Sequence, residues 1–72
     1  MKRVAIISKP GSPHLGKIVH ELTSWLRDHG YTISVDTVTS QFYRDAEVVD
    51  AKDLVMNRPE FVIVLEIGRA HV

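Results

Sequence analysis

The chain contains no cysteine, which excludes a disulfide framework, a thiolate zinc site and a cysteine nucleophile together. An excess of one charge is lacking too. Nine Lys plus Arg offset nine Asp plus Glu, so nothing electrostatic draws the chain to nucleic acid or to an anionic membrane. Long apolar runs are also missing. Behind Met1-Lys2-Arg3 the run is only Val4-Ala5-Ile6-Ile7, too short for the core of a signal peptide and far short of a membrane span. Four glycines and three prolines in 72 residues are too few for a collagen-like or low-complexity chain. What remains is 44% hydrophobic and 25% charged, the balance of one small, soluble, cytoplasmic piece of mixed α/β structure.

The first run, Arg3-Val4-Ala5-Ile6-Ile7-Ser8, is apolar without alternation, as in a strand buried on both faces of a parallel sheet. It ends at Lys9-Pro10-Gly11-Ser12-Pro13, where two prolines and a glycine break regular structure. Ser12 followed by Pro13 predicts a helix opening, with the hydroxyl as cap and proline in the first turn. Leu15, Ile18, Val19, Leu22, Trp25 and Leu26 then recur at steps of three and four, one apolar stripe of a helix with Trp25 in the core. Gly30 falls where a left-handed C-terminal cap is needed. Tyr31, Ile33 and Val35 alternate with Thr32, Ser34 and Asp36, the pattern of a half-exposed strand. Strand, helix and strand in this order form a βαβ unit with a right-handed crossover.

Between Thr37 and Asp50 the period is poor, and Val38, Phe42, Val48 and Val49 predict only a short helix and a loop. Ala51 to Asn57 reads as a brief helix closed by Arg58-Pro59, since the residue before proline avoids the α region. Phe61-Val62-Ile63-Val64-Leu65 is a second fully apolar strand. The expected fold is therefore α/β: a partial Rossmann-like or flavodoxin-like three-layer piece, β-α-β-(short α)-β, with parallel strands and an incomplete domain. Ligands of such sheets bind at the carboxyl ends of the strands. That points to residues 8–12 and to whatever follows Leu65.

The loop from Ser8 to Pro13 has neither the glycine spacing nor the Lys-Ser/Thr ending of a Walker loop, and it is no dinucleotide fingerprint. Lys9 and Ser12, beside a helix start with free N–H groups, are the candidates for meeting a phosphate. A plain turn with a helix cap explains the same residues. His14, His20, His29 and His71 read as surface residues, because His14 and His20 are six apart and fall on different faces of a helix. The acidic residues are scattered, with no pair that the pattern places together. No metal site and no catalytic residue is assigned. A phosphate-accepting receiver domain needs acidic residues after the first strand and an Asp ending the third, where Ser8-Lys9 and Leu65-Glu66 stand here.

In order and spacing, three segments carry a resemblance. Met1 to Pro10, the helix end Trp25-Leu26-Arg27-Asp28-His29-Gly30-Tyr31, and Glu60 to Leu65 together resemble the N-terminus of a bacterial NAD kinase. The likeness runs over residues 1–65. In that family the strand matching Phe61 to Leu65 runs into Gly-Gly-Asp-Gly-Thr. There the glycines admit phosphates, and the aspartate acts as general base on the adenosine ribose 2′-hydroxyl of NAD, whose oxygen attacks the γ-phosphate of ATP. The resemblance implies a parent enzyme that phosphorylates NAD to NADP with ATP, or with polyphosphate as the alternative donor, and a divalent cation, Mg2+ by expectation. It implies a cytoplasmic homo-oligomer that binds neither nucleic acid nor membrane. The alternative expectation is a small non-catalytic module using the Lys9 to Ser12 loop for an anion.

The motif itself is missing, and Glu66-Ile67-Gly68-Arg69-Ala70-His71-Val72 stands in its place. The bases GAG-ATC-GGA-AGA-GCA-CAC-GTC encode that string. From the second base on they match a standard short-read sequencing adapter, whose next triplet, TGA, is a stop. The leftover G is the first base of a glycine codon. The expectation is therefore a native segment over residues 1–65 and a non-native tail over 66–72, with no phosphotransferase activity and no cofactor bound by the 72 residues alone. A chain this short buries only about 60% of its unfolded surface. With strand order 2-1-3, Phe61 to Leu65 would be an exposed apolar edge, and the isolated chain is expected to be poorly soluble or molten.

Overall fold

The computed structural model describes residues 2–11, 13–44, 46–56, 58–66 and 69–71. Its elements are β1 (Lys2–Ser8), α1 (Leu15–Asp28), β2 (Tyr31–Val35), a 3-10 turn (Thr39–Gln41), β3 (Glu47–Val48), α2 (Ala51–Met56), β4 (Phe61–Glu66) and β5 (Arg69–His71). They build one sheet of order β3-β2-β1-β4-β5, parallel except for the antiparallel β4–β5 pair. The three-layer parallel arrangement expected from the sequence is what the chain adopts.

Register follows from side-chain alternation. Val4 and Ile6 of β1 lie beside Ile33 and Val35 of β2 and beside Phe61 and Ile63 of β4, all pointing to one face. Against that face α1 lays Leu15, Val19 and Leu26, and these residues with Leu65 form the main core. The opposite face carries Ala5, Ile7, Ser34, Val62 and Val64. There α2 contributes Leu54, which is 0% exposed and lies outside the α1 cluster. Opposite placement of the two helices is what right-handed crossovers demand, since β1→β2 and β3→β4 run across the sheet in opposite directions.

Several expectations are corrected. Trp25 is 53% exposed rather than core, with its indole stacked on the His29 ring at 3.8 Å. At roughly 100° per residue, Trp25 sits about 110° from the centre of the buried face. That face is rotated toward Thr23, which is buried and donates its hydroxyl proton to the Val19 carbonyl at 2.7 Å, a bond that makes a hydroxyl tolerable in the core. The helix opens later than predicted: its N-cap is His14, with no side-chain cap bond, and Pro13 lies in the turn before it. Ser12 lies outside the described residues. Gly30 does close the helix, at φ +82°.

The strand β2 is not half-exposed. Thr32 is exposed, but Ser34 and Asp36 are buried, because α2 covers β1 and β2 on the second face and β3 pairs along the outer edge. Residues 37–50 contribute the short 3-10 turn and also a two-residue strand that alternation could not reveal, since both of its residues are exposed. Phe42 and Val48 are exposed rather than anchoring. Phe42 lays its ring on Gly16, where an added Cβ would stand 3.0 Å from Cδ1. Arg58 leaves the right-handed α region as its proline neighbour demands, but adopts φ +51° rather than extended backbone. Finally, β4 is not the sheet edge at its carboxyl end: Val64, Leu65 and Glu66 pair with His71, Ala70 and Arg69.

Candidate functional site

The carboxyl ends of β1, β2 and β4 meet at one rim of the sheet, where ligands of such folds bind. Parallel pairing brings Ser8 beside Leu65, and the chain turns out of β1 with the Lys9 N–H donating to the Leu65 carbonyl at 2.8 Å. The Lys9 ammonium lies 2.9 Å from Glu66 Oε2, with the lysine side chain 65% exposed. Lys9 thus sits where the anion-binding reading places it, but with its charge already answered. Such a pair in solvent contributes only about 0–1 kcal/mol. An anion of higher charge density would compete for the lysine.

Behind Lys9 is a buried polar network that sequence reading missed. Asp36, 6% exposed, ends β2 and accepts from the Thr39 N–H at 2.9 Å through Oδ1. The same oxygen accepts from the Thr39 hydroxyl, whose oxygen also lies against Ser8 Oγ. The second carboxyl oxygen takes the Ser8 N–H at 3.4 Å. A threonine hydroxyl has one proton to give. With that proton on Asp36, the Ser8 hydroxyl must donate to Thr39, so the proton order runs Ser8 to Thr39 to Asp36. Among the described residues no buried side-chain nitrogen or oxygen is left without a partner. The network locks the 3-10 turn to the end of β1. The signal lay in Asp36-Thr37-Val38-Thr39, a carboxylate followed three residues later by a hydroxyl, the spacing of a capped turn.

Other candidates fall away from the rim. His14, His20 and His29 are exposed, as expected, and His29 Nδ1 lies 2.7 Å from the Trp25 carbonyl at the end of α1. An open groove of about 430 Å³ between α1 and the segment after the 3-10 turn is lined by His20, Thr23, Ser24, Arg27, Asp28 and Tyr43. Its charges are of both signs, so it favours no one ligand class. Among the described residues no three His, Asp or Glu side chains gather as a metal site, and no helix is long and apolar enough to cross a membrane.

The chain is similar to the NAD kinase of Acidobacterium capsulatum, 38% identical over 65 residues, and to the NAD kinase of Koribacter versatilis, 37% identical over 65 residues. Each match takes in 90% of this chain and 23% of the relative, so the chain spans less than a quarter of the length of these relatives. No family model matches, and no solved structure gives a significant match. The resemblance read from the sequence thus holds over most of the chain, which is homologous to part of an NAD kinase.

Proposed function

We propose that the chain is the opening segment of an NAD kinase, and that phosphorylation of the adenosine ribose 2′-hydroxyl of NAD belongs to the longer protein. The observation that carries this reading is the 65-residue similarity to two NAD kinases across 90% of the chain. The segment's role is architectural: β1, β2 and β4 set a rim of strand ends, and the turn after β4 is where a Gly-Gly-Asp-Gly-Thr motif would bring backbone N–H groups to phosphates. NAD and ATP are the proposed substrates of the whole enzyme, a cytoplasmic homo-oligomer. A divalent cation accompanying ATP is assigned to no residue here, because the described residues offer no metal-holding group.

On the same reading the segment 66–72 is a non-native tail, and Glu66 stands at the position of the first motif glycine. The anion-module alternative requires an anion to displace Glu66 from Lys9, with which it forms an exposed pair. The test is direct. Residues 1–72 incubated with NAD, ATP and Mg2+ should yield no NADP. Residues 1–65 joined to the continuation of the A. capsulatum enzyme should yield it. NADP from the short chain would overturn the division of labour, and an inactive but folded chimera would overturn the assignment. Phosphate titrated onto the short chain should leave the Lys9 environment unmoved, whereas saturable binding would favour the module.

A further inference from the structure

The end of α1 remote from the rim holds a pair of rings that neither the core nor the candidate site uses. Trp25 is the one tryptophan of the chain. Its indole is stacked on the His29 ring, with centroids 3.8 Å apart and planes 19° from parallel. A spacing of four residues sets the two side chains one above the other on the helix. His29 is also the C-cap of α1: its backbone N–H reaches the carbonyls of Arg27, Leu26 and Trp25. Its ring nitrogen Nδ1 lies 2.7 Å from the Trp25 carbonyl. A carbonyl only accepts, so this contact is a hydrogen bond only when Nδ1 carries a proton. One side chain thus covers an indole face and answers one of the last helix carbonyls.

We propose that Trp25 and His29 form a pH-sensitive latch on the turn from α1 into β2, closed when the imidazole is protonated and loosened when it is neutral. Three effects act in the same direction. A neutral imidazole has one proton for two ring nitrogens, and only the Nδ1–H form can hold the Trp25 carbonyl. The imidazolium has a proton on both, so the bond is always available. A cation over an indole face is attracted to it, and a cation at a helix C-terminus is favoured by the backbone dipoles. The titratable and charged neighbours on α1 are Glu21, Arg27 and Asp28. On β2, which packs against α1, Tyr31 is the one titratable residue, and the Lys2 ammonium of β1 lies 5.7 Å from the centre of its ring. Tyr43, after the 3-10 turn, shares the groove with Arg27 and Asp28. Among the described residues none of these forms an ion pair with His29, so the ring's partners are the indole and the carbonyl. The latch needs only this helix end and holds whether or not the longer protein is an NAD kinase.

Intrinsic fluorescence reads the latch directly, because residues 1–72 hold a single indole and a stacked imidazolium quenches it. Emission should fall as the pH is lowered from about 8 to about 5, the interval in which histidine titrates. Over the same interval, exchange protection of the Gly30 amide, which donates to the Arg27 carbonyl at 3.0 Å, should rise. After correction for the intrinsic pH dependence of exchange, the expected rise is about two- to fivefold. His29→Gln should abolish both responses. His20→Gln, in the groove on another side of α1, should leave both intact. Emission that stays flat in a chain with a helical circular dichroism spectrum would overturn the latch, as would an unchanged titration in His29→Gln. If residues 1–72 show no helical spectrum, the same difference between the parent and His29→Gln is taken in the chimera with the A. capsulatum continuation, where any other tryptophan cancels. A difference that appears at low pH supports the latch, and no difference overturns it. Absence of helix from both proteins would overturn it too, since the pair exists only on a formed α1.

Discussion

The two faces of this sheet belong to the same strands but, among the described residues, receive very different cover. On the first, the 14-residue α1 spans the sheet and seals Val4, Ile6, Ile33, Val35, Ile63 and Leu65 with three of its own side chains. On the second, among the described side chains of the 6-residue α2, Leu54 is the one fully buried. Side chains on successive positions of one strand, such as Ile6 and Ile7, therefore differ in burial because of what lies above them. An apolar run predicts a strand that wants two covers. It does not say whether both are present.

Leu26→Ala tests the sealed face and should have the largest effect, a loss of about 2–5 kcal/mol. Against the small stability of a domain this size, that removes whatever cooperative thermal transition the unsubstituted chain shows by circular dichroism. Leu54→Ala tests the thin face and should cost about 2 kcal/mol, the low end for such a truncation, because a shallow layer lets the neighbours relax. Equal losses at the two positions in chemical denaturation would mean that the second face is as closed as the first.

Smaller effects belong to the rim. Thr39→Val removes the hydroxyl shared by Asp36 and Ser8, and should cost about 1–3 kcal/mol through the buried groups left unpartnered. Thr39→Ser should recover most of that loss in the same denaturation experiment. Smallest of all, Lys9→Ala removes an exposed ion pair and should change stability by no more than about 1 kcal/mol. Repeating that comparison in 1 M salt should shrink the difference further.

How far the sequence could be read follows from the same contrast. The strands Lys2–Ser8 and Phe61–Glu66, the helix closed by Gly30 and the short helix before Pro59 were legible, because continuous apolar runs, a 3.6-residue period and a glycine cap are local signals. The orientation of α1 was not. Thr23 and Trp25 flank the stripe on opposite sides, and only the contact with β2 decides that the threonine goes inward. Asp36 looked like one more exposed position of an alternating strand. Its burial depends on Ser8 and on a turn that returns to β1, both remote in sequence. The strand β3 was hidden for a similar reason: its two residues pair through backbone alone and show no apolar face. Lys9 follows β1 at the rim of strand ends, while its partner Glu66 could be found only once β1 and β4 were known to be neighbours.

The claim on which the account turns is that this half-covered sheet is the first part of an NAD kinase, and sequencing the source DNA through the codons after Leu65 tests it most directly. The account predicts codons for Gly-Gly-Asp-Gly-Thr followed by a long open frame. Native genomic codons for Glu66 through Val72 leading to a stop would contradict it.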